Sequence, residues 1–138
     1  MDNIIEQRNK ISIGRIFKTQ GENRFRIIEK NIIKDISSLK KSVIATGGGA
    51  ILLKENVDNL KKNGVLIALI SSSDVILKRI SKNKKRPLLN CSNKLRKINQ
   101  LLDFRFPYYV KRADYIIDTS HTSPNKIATQ ILCLRKLT

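Results

Sequence analysis

The sequence predicts an α/β protein built on a parallel sheet. Three observations carry this. The apolar runs Val43–Ala45, Val65–Ile70 and Tyr115–Ile117 are strand-sized, and stretches of helical periodicity separate them. Strands alternating with helices favour parallel pairing with right-handed crossovers. The first run stops at Thr46 and three glycines, Gly47, Gly48 and Gly49. That is the carboxyl end of a strand, where parallel α/β sheets bind ligands.

The elements follow in order. Asp2–Gln7 starts as a short helix, and Asn9–Phe17 holds a second helical turn with Ser12 as its N-cap. Gly21 breaks the chain. From Glu22 to Leu39, Phe25, Ile28, Ile32, Ile36 and Leu39 recur at helical spacing, which predicts a long amphipathic helix. Arg26 and Glu29 lie on a neighbouring face, close enough to pair or to face a common ligand. Val43–Ala45 is read as a buried strand. Lys54–Lys62 reads as a helix ended by Asn63-Gly64. Val65–Ile70 is a second buried strand by its continuous apolar character. Ser71 to Asp74 supply caps for a helix reaching Ser81. Lys82–Asn93 is polar, basic and interrupted by Pro87, and reads as a mobile loop. Lys94–Arg112 is a helix with Leu95, Ile98 and Leu102 inward, kinked or ended early by Pro107. Tyr115–Ile117 is the third strand, 118–123 a loop, and Asn125–Arg135 a final helix with Ile127, Ile131 and Leu134 on one face.

The 138 residues suit one domain, with no linker or repeat. No run approaches the roughly 18 to 20 apolar residues of a membrane helix. The N-terminus lacks a signal-peptide pattern. Cys91, Cys133 and the single His121 show no metal-ligand spacing, which argues against a zinc site or disulfide framework. A soluble protein of a reducing compartment is expected. The net charge is +17, from 28 Lys and Arg against 11 Asp and Glu. Such a field attracts anions. Lysines pervade the whole chain, however, and aromatic residues are only 5%, which disfavours a base-stacking surface. Compositional drift plus a small anionic ligand is preferred to nucleic-acid binding.

Three consecutive glycines remove side chains, so that a ligand can lie against backbone N–H groups. On spacing alone a flexible turn is an equally good reading. Three arginines stand in distinctive settings: Arg26 on the long helix, Arg86 before Pro87, and Arg105 near a helix end. Guanidinium groups bind carboxylates and phosphates bidentately. Around a glycine loop they suit a small carboxylate ligand together with a phosphate donor. With so many basic residues, each one taken alone reads more readily as a solvated surface cation.

These residues resemble one family. Gly47 to Gly49 after its strand, Gly21-Glu-Asn-Arg-Phe-Arg-Ile-Ile-Glu29, Arg86-Pro-Leu-Leu89 and Arg105-Phe-Pro-Tyr-Tyr109 are similar to the shikimate kinases, in order and spacing, over nearly the whole chain. The resemblance implies a three-layer P-loop kinase fold, a parallel sheet with helices on both faces. It implies transfer of the ATP γ-phosphoryl group to the 3-hydroxyl of shikimate, in chorismate and aromatic amino-acid synthesis. ATP and Mg²⁺ are the implied cofactors, with a cytoplasmic monomer and no nucleic-acid or membrane partner. Asp2 resembles the aspartate that holds shikimate hydroxyls and acts as base. Arg26 and Arg105 resemble the pair gripping the carboxylate. Gly48, with Gly47 and Gly49, resembles the backbone contact. Arg86 resembles the lid arginine that reaches the phosphates, within a lid at 82–93. Arg79 and Pro124 resemble residues lining the adenine. Phe17, Phe25 and Glu29 match residues of the shikimate pocket, which residues 2–39 largely build.

The sequence departs from the family in one respect. It contains no Gly-x-x-x-x-Gly-Lys-Ser/Thr, the motif that cradles phosphates and supplies a Mg²⁺-binding hydroxyl. The resemblance therefore assigns no metal residue, and the family's first central strand is expected to be absent. Either the working protein carries an upstream P-loop, or this is a remnant with feeble activity. Two rivals follow: a protein that binds shikimate without phosphoryl transfer, and a nonspecific polyanion binder.

Overall fold

The computed structural model describes residues 1–81 and 92–134. Helix α1 spans Asp2–Asn9 and α2 spans Ile13–Ile36. A 3₁₀ turn, Ala50–Leu52, leads into α3, Lys54–Lys61. Strand β1 is Ile67–Ile70, α4 is Ser73–Ser81 and α5 is Lys94–Arg112. Strand β2, Tyr115–Asp118, and α6, Pro124–Leu134, complete the order.

Among the described residues the sheet has two strands, β1 and β2, paired in parallel with Ile67 opposite Tyr115 and Ile70 opposite Asp118. The parallel α/β expectation holds. The expected strand at Val43–Ala45 does not form. This stretch is extended, but no described strand pairs with it, and Val43 is 99% exposed. A strand needs a hydrogen-bonded neighbour. Here the backbone instead takes one bond, from the Met1 amine to the Ala45 carbonyl at 3.2 Å. Ile44 still packs on the core. Strand β1 is also shorter than the apolar run, since the Leu66 N–H goes to the Asp114 carboxylate rather than to a ladder.

The principal core lies between α1 and α2. Ile5, Ile16, Phe25, Ile28, Ile32 and Ile36 form it, at the helical spacing seen in the sequence. Ser12 caps α2 by accepting from the Arg15 N–H. Gly21 interrupts α2 with φ 79° and ψ 174°, a conformation left to glycine. Its bend lets Phe17 and Phe25, on opposite sides of the break, bring their rings within 4.8 Å. Leu39 lies beyond the end of α2 and is exposed, contrary to its expected inward place.

Helix α5 runs through Pro107 to Arg112 instead of ending early. Proline forfeits a hydrogen bond to the carbonyl four residues back, here that of Asp103. Both residues are exposed, so water can serve that carbonyl. Ile98 is buried as expected, whereas Leu95 is exposed. Asn93 caps the helix by accepting from the Arg96 N–H. No helix of the described residues is long and apolar enough to cross a membrane.

Candidate active site

The glycine loop closes as a turn: the Ala50 N–H donates to the Gly47 carbonyl at 3.0 Å. Three elements converge on it. Arg26 comes from α2, one turn after the Gly21 bend. Arg105 and Tyr109 come from one face of α5, four residues apart. The contacts explain why the loop is all glycine. A Cβ on Gly49 would stand 2.6 Å from Arg26 Cζ. A Cβ on Gly48 would stand 2.8 Å from the Tyr109 hydroxyl and 3.3 Å from Arg105 Nη1. A Cβ on Gly47 would lie 3.6 Å from Glu29 Oε1. Side chains, not the ligand alone, use the room the glycines leave.

Glu29 is the centre of the charge arrangement. It is 0% exposed. Its Oε2 accepts from Arg26 Nη1 at 2.6 Å. Arg26 also donates from Nε and Nη2 to Glu22 Oε1, at 3.2 and 2.8 Å. Three of five guanidinium donors are thus used, and two remain for a ligand. Burial pushes the Glu29 carboxyl above its usual range; Arg26 opposes this, nearby Asp2 adds to it, and Arg105 opposes it. Burial works to lower the Arg26 pKa, and Glu29 and Glu22 outweigh it. Arg26 therefore stays charged, with its cationic head 5.2 Å from the Phe25 ring centre. Three buried polar atoms have no partner among the described residues: Asn56 Oδ1, and, at the site itself, the acceptor Glu29 Oε1 and the donor Arg105 Nε. Such atoms call for a ligand or water.

The loop is anchored on its far side too. Arg112 Nη1 donates to the carbonyls of Ile51 and Leu52 at 2.6 and 2.9 Å, and Asn56 donates to that of Ala50 at 3.0 Å. Tyr109, Arg112 and Glu22 had no role assigned from the sequence. The available signal was helical spacing: Tyr109 and Arg112 fall on the Arg105 face of α5.

The structure thus brings together Asp2, Arg26, Glu29, Gly47, Gly48, Gly49 and Arg105. Arg79 lies apart from these, at the carboxyl end of the two strands. Arg79 donates to the Thr119 hydroxyl at 3.0 Å and to its carbonyl at 2.6 Å, on the loop leading to Pro124. Arg86 and the expected lid up to Cys91 lie outside the described residues. Among the described residues, no group of three or more His, Cys, Asp or Glu side chains could hold a metal ion. The described residues do not gather a donor set for Mg²⁺, and none is assigned to it.

Fold and site together define an α/β protein in which two arginines from separate helices converge on a glycine loop. Comparison with known proteins makes this specific. The shikimate kinase family model matches residues 1–135. A shikimate kinase of Thermodesulfovibrio yellowstonii is 43% identical over 132 residues, covering 96% of this chain and 76% of the relative. One from Thermoanaerobacter pseudethanolicus is 41% identical, covering 95% of this chain and 76% of the relative. Among solved structures, the shikimate kinase from Acinetobacter baumannii in complex with shikimate superposes with a TM-score of 0.91 at 36% identity, covering 96% of this chain and 74% of that one. The chain belongs to the shikimate kinase family, and shares its P-loop kinase fold.

Proposed function

We propose that this chain phosphorylates shikimate on its 3-hydroxyl with the γ-phosphoryl group of ATP. One observation carries the reading. Arg26 and Arg105, from separate helices, lie against adjacent glycines of one loop. That geometry suits a single carboxylate held between two guanidiniums and a backbone N–H. The unfilled Glu29 Oε1 and Arg105 Nε complement a ligand carrying hydroxyl groups as well as the carboxylate.

The roles are those that the family resemblance implies. Arg26 and Arg105 bind the carboxylate, and Gly48 presents backbone to it. Asp2, in the first turn of α1 and near Glu29, holds ring hydroxyls and accepts the 3-hydroxyl proton. The hydroxyl oxygen attacks the γ-phosphorus, the bond to the β,γ-bridging oxygen breaks, and ADP leaves. Arg79 and Pro124 line the adenine of ATP. Mg²⁺, when bound with ATP, offsets phosphate charge. The product belongs to chorismate and aromatic amino-acid synthesis, and the protein works as a cytoplasmic monomer.

The test pairs calorimetry with shikimate and a coupled assay of ADP release. Saturable binding and shikimate-dependent ADP release support the reading. Binding without ADP release would reduce the function to shikimate binding. No saturable binding, with only salt-sensitive attachment to polyanions, would overturn it.

A further inference from the structure

The loop Gly47-Gly48-Gly49-Ala50 is a four-residue turn closed by the Ala50 N–H to Gly47 carbonyl bond. Gly49, its third residue, has φ −92° and ψ −13°. These angles match the third position of a type I turn, about −90° and 0°. Type II differs by reversal of the middle peptide, here Gly48–Gly49, and needs φ near +80° at the third residue. Glycine takes either sign of φ almost freely. The sequence of this turn therefore permits both forms, and something outside it must choose.

We propose that Tyr109 makes the choice. Its hydroxyl donates to the Gly48 carbonyl at 2.9 Å and so locks the Gly48–Gly49 peptide in the type I orientation, making Tyr109 a positioning residue for the substrate site. The Gly48 carbonyl and the Gly49 N–H share one trans peptide and point opposite ways. Holding the first aims the second. A flip would replace an N–H donor by a carbonyl oxygen on the side of the turn away from Tyr109. An anion held there would lose its donor and meet lone pairs. Burial raises the Tyr109 pKa, so the phenol keeps its proton and remains a donor at neutral pH. Arg105 lies four residues back on the same helix, and both side chains reach the same glycine. Ligand cation and loop lock are therefore carried by one rigid element. The effect on ligand rests on the shikimate reading above; the lock itself does not.

The experiment compares amide and carbonyl NMR spectra of the full chain with those of Tyr109→Phe, and measures shikimate affinity of both by calorimetry. The Gly48 and Gly49 signals are expected to shift or broaden while the remaining spectrum superposes. The Ala50 amide should stay protected, because Gly47 accepts from it in both turn forms. Shikimate affinity should fall about tenfold, as for loss of one neutral hydrogen bond. Should Tyr109→Phe fail to fold, the unsubstituted chain still reports. Deuterating the phenol should shift the Gly48 carbonyl resonance if the bond exists. Unmoved Gly48 and Gly49 signals in a folded variant, or no isotope effect, would overturn the lock. Moved signals with unchanged shikimate affinity would overturn the positioning role. If the signals move but neither protein takes shikimate, the lock stands and the substrate reading fails.

Discussion

Gly49→Ala is the sharpest probe of the site, because only one thing opposes it. The backbone at Gly49, φ −92° and ψ −13°, accepts alanine without strain. Replacing glycine there should even stabilise by about 0.4–1 kcal/mol, through the unfolded chain. The obstacle is Arg26. The new Cβ would lie 2.6 Å from its Cζ, where ordinary contact starts at 3.4 Å. The guanidinium must retreat by about 1 Å, which loosens a charge-assisted contact to ligand worth about 1.5–3 kcal/mol, on the order of 10- to 100-fold in affinity. Retreat also stretches the bonds to Glu29 and Glu22, now 2.6 and 2.8 Å. Glu29 cannot turn to water, so a net loss of about 1–3 kcal/mol in stability is expected. Calorimetry with shikimate and urea unfolding measure both quantities. Shikimate affinity within about threefold of the unsubstituted chain, under that expectation, would refute the placement of Arg26 against this loop.

Other perturbations separate further parts of the argument. Gly21→Ala meets no atom within 4 Å but must hold φ at 79°, so it should lose about 1–3 kcal/mol in urea unfolding from backbone strain alone. Glu29 has its pKa raised in the folded state, so the folded chain binds that proton more tightly. Its contribution is then fullest below the ordinary 4.5 and is lost as pH rises through the folded value, and Glu29→Gln should remove that slope from unfolding measured against pH. Asp114 behaves oppositely: burial pushes it up, but Lys61 and the Leu66 N–H bring it below the ordinary 3.8. Its stabilisation is present above that value and lost as pH falls through the folded pKa; Asp114→Asn should cost about 1 kcal/mol at neutral pH. Arg112→Ala frees the carbonyls of Ile51 and Leu52 and should cost about 1–3 kcal/mol by the same assay.

Much of this site could be read before any coordinates. Periodicity placed Phe25, Ile28, Ile32 and Ile36 on the core face of α2, and three-residue spacing put Arg26 within reach of Glu29, to pair with it or to face a common ligand. The glycine run, the arginines and their order carried the family. Two kinds of feature stayed hidden. Val43–Ala45 has strand composition, but strand formation depends on a neighbour that local composition does not specify. The task of Tyr109 was hidden for a different reason. A tyrosine at that spacing could pack, stack or donate, and only the meeting of α5 with a loop 61 residues away selects donation. The helix over Lys94–Arg112 was legible despite Pro107; that it does not end early depends on water reaching the orphaned carbonyl, which the sequence does not show.

Helix α5 makes three separate attachments with one stripe of its surface. Arg105 faces Gly48, Tyr109 holds its carbonyl, and Arg112 grips the carbonyls of Ile51 and Leu52 further along. What these residues share is phase. One residue inserted or deleted between 105 and 109 would rotate everything beyond it by about 100°. Tyr109 and Arg112 would leave the loop together, although neither had been altered. Point substitutions on the exposed face of α5 should be mild, while any change in its length there should abolish shikimate binding. Length, more than composition, is what this segment cannot vary.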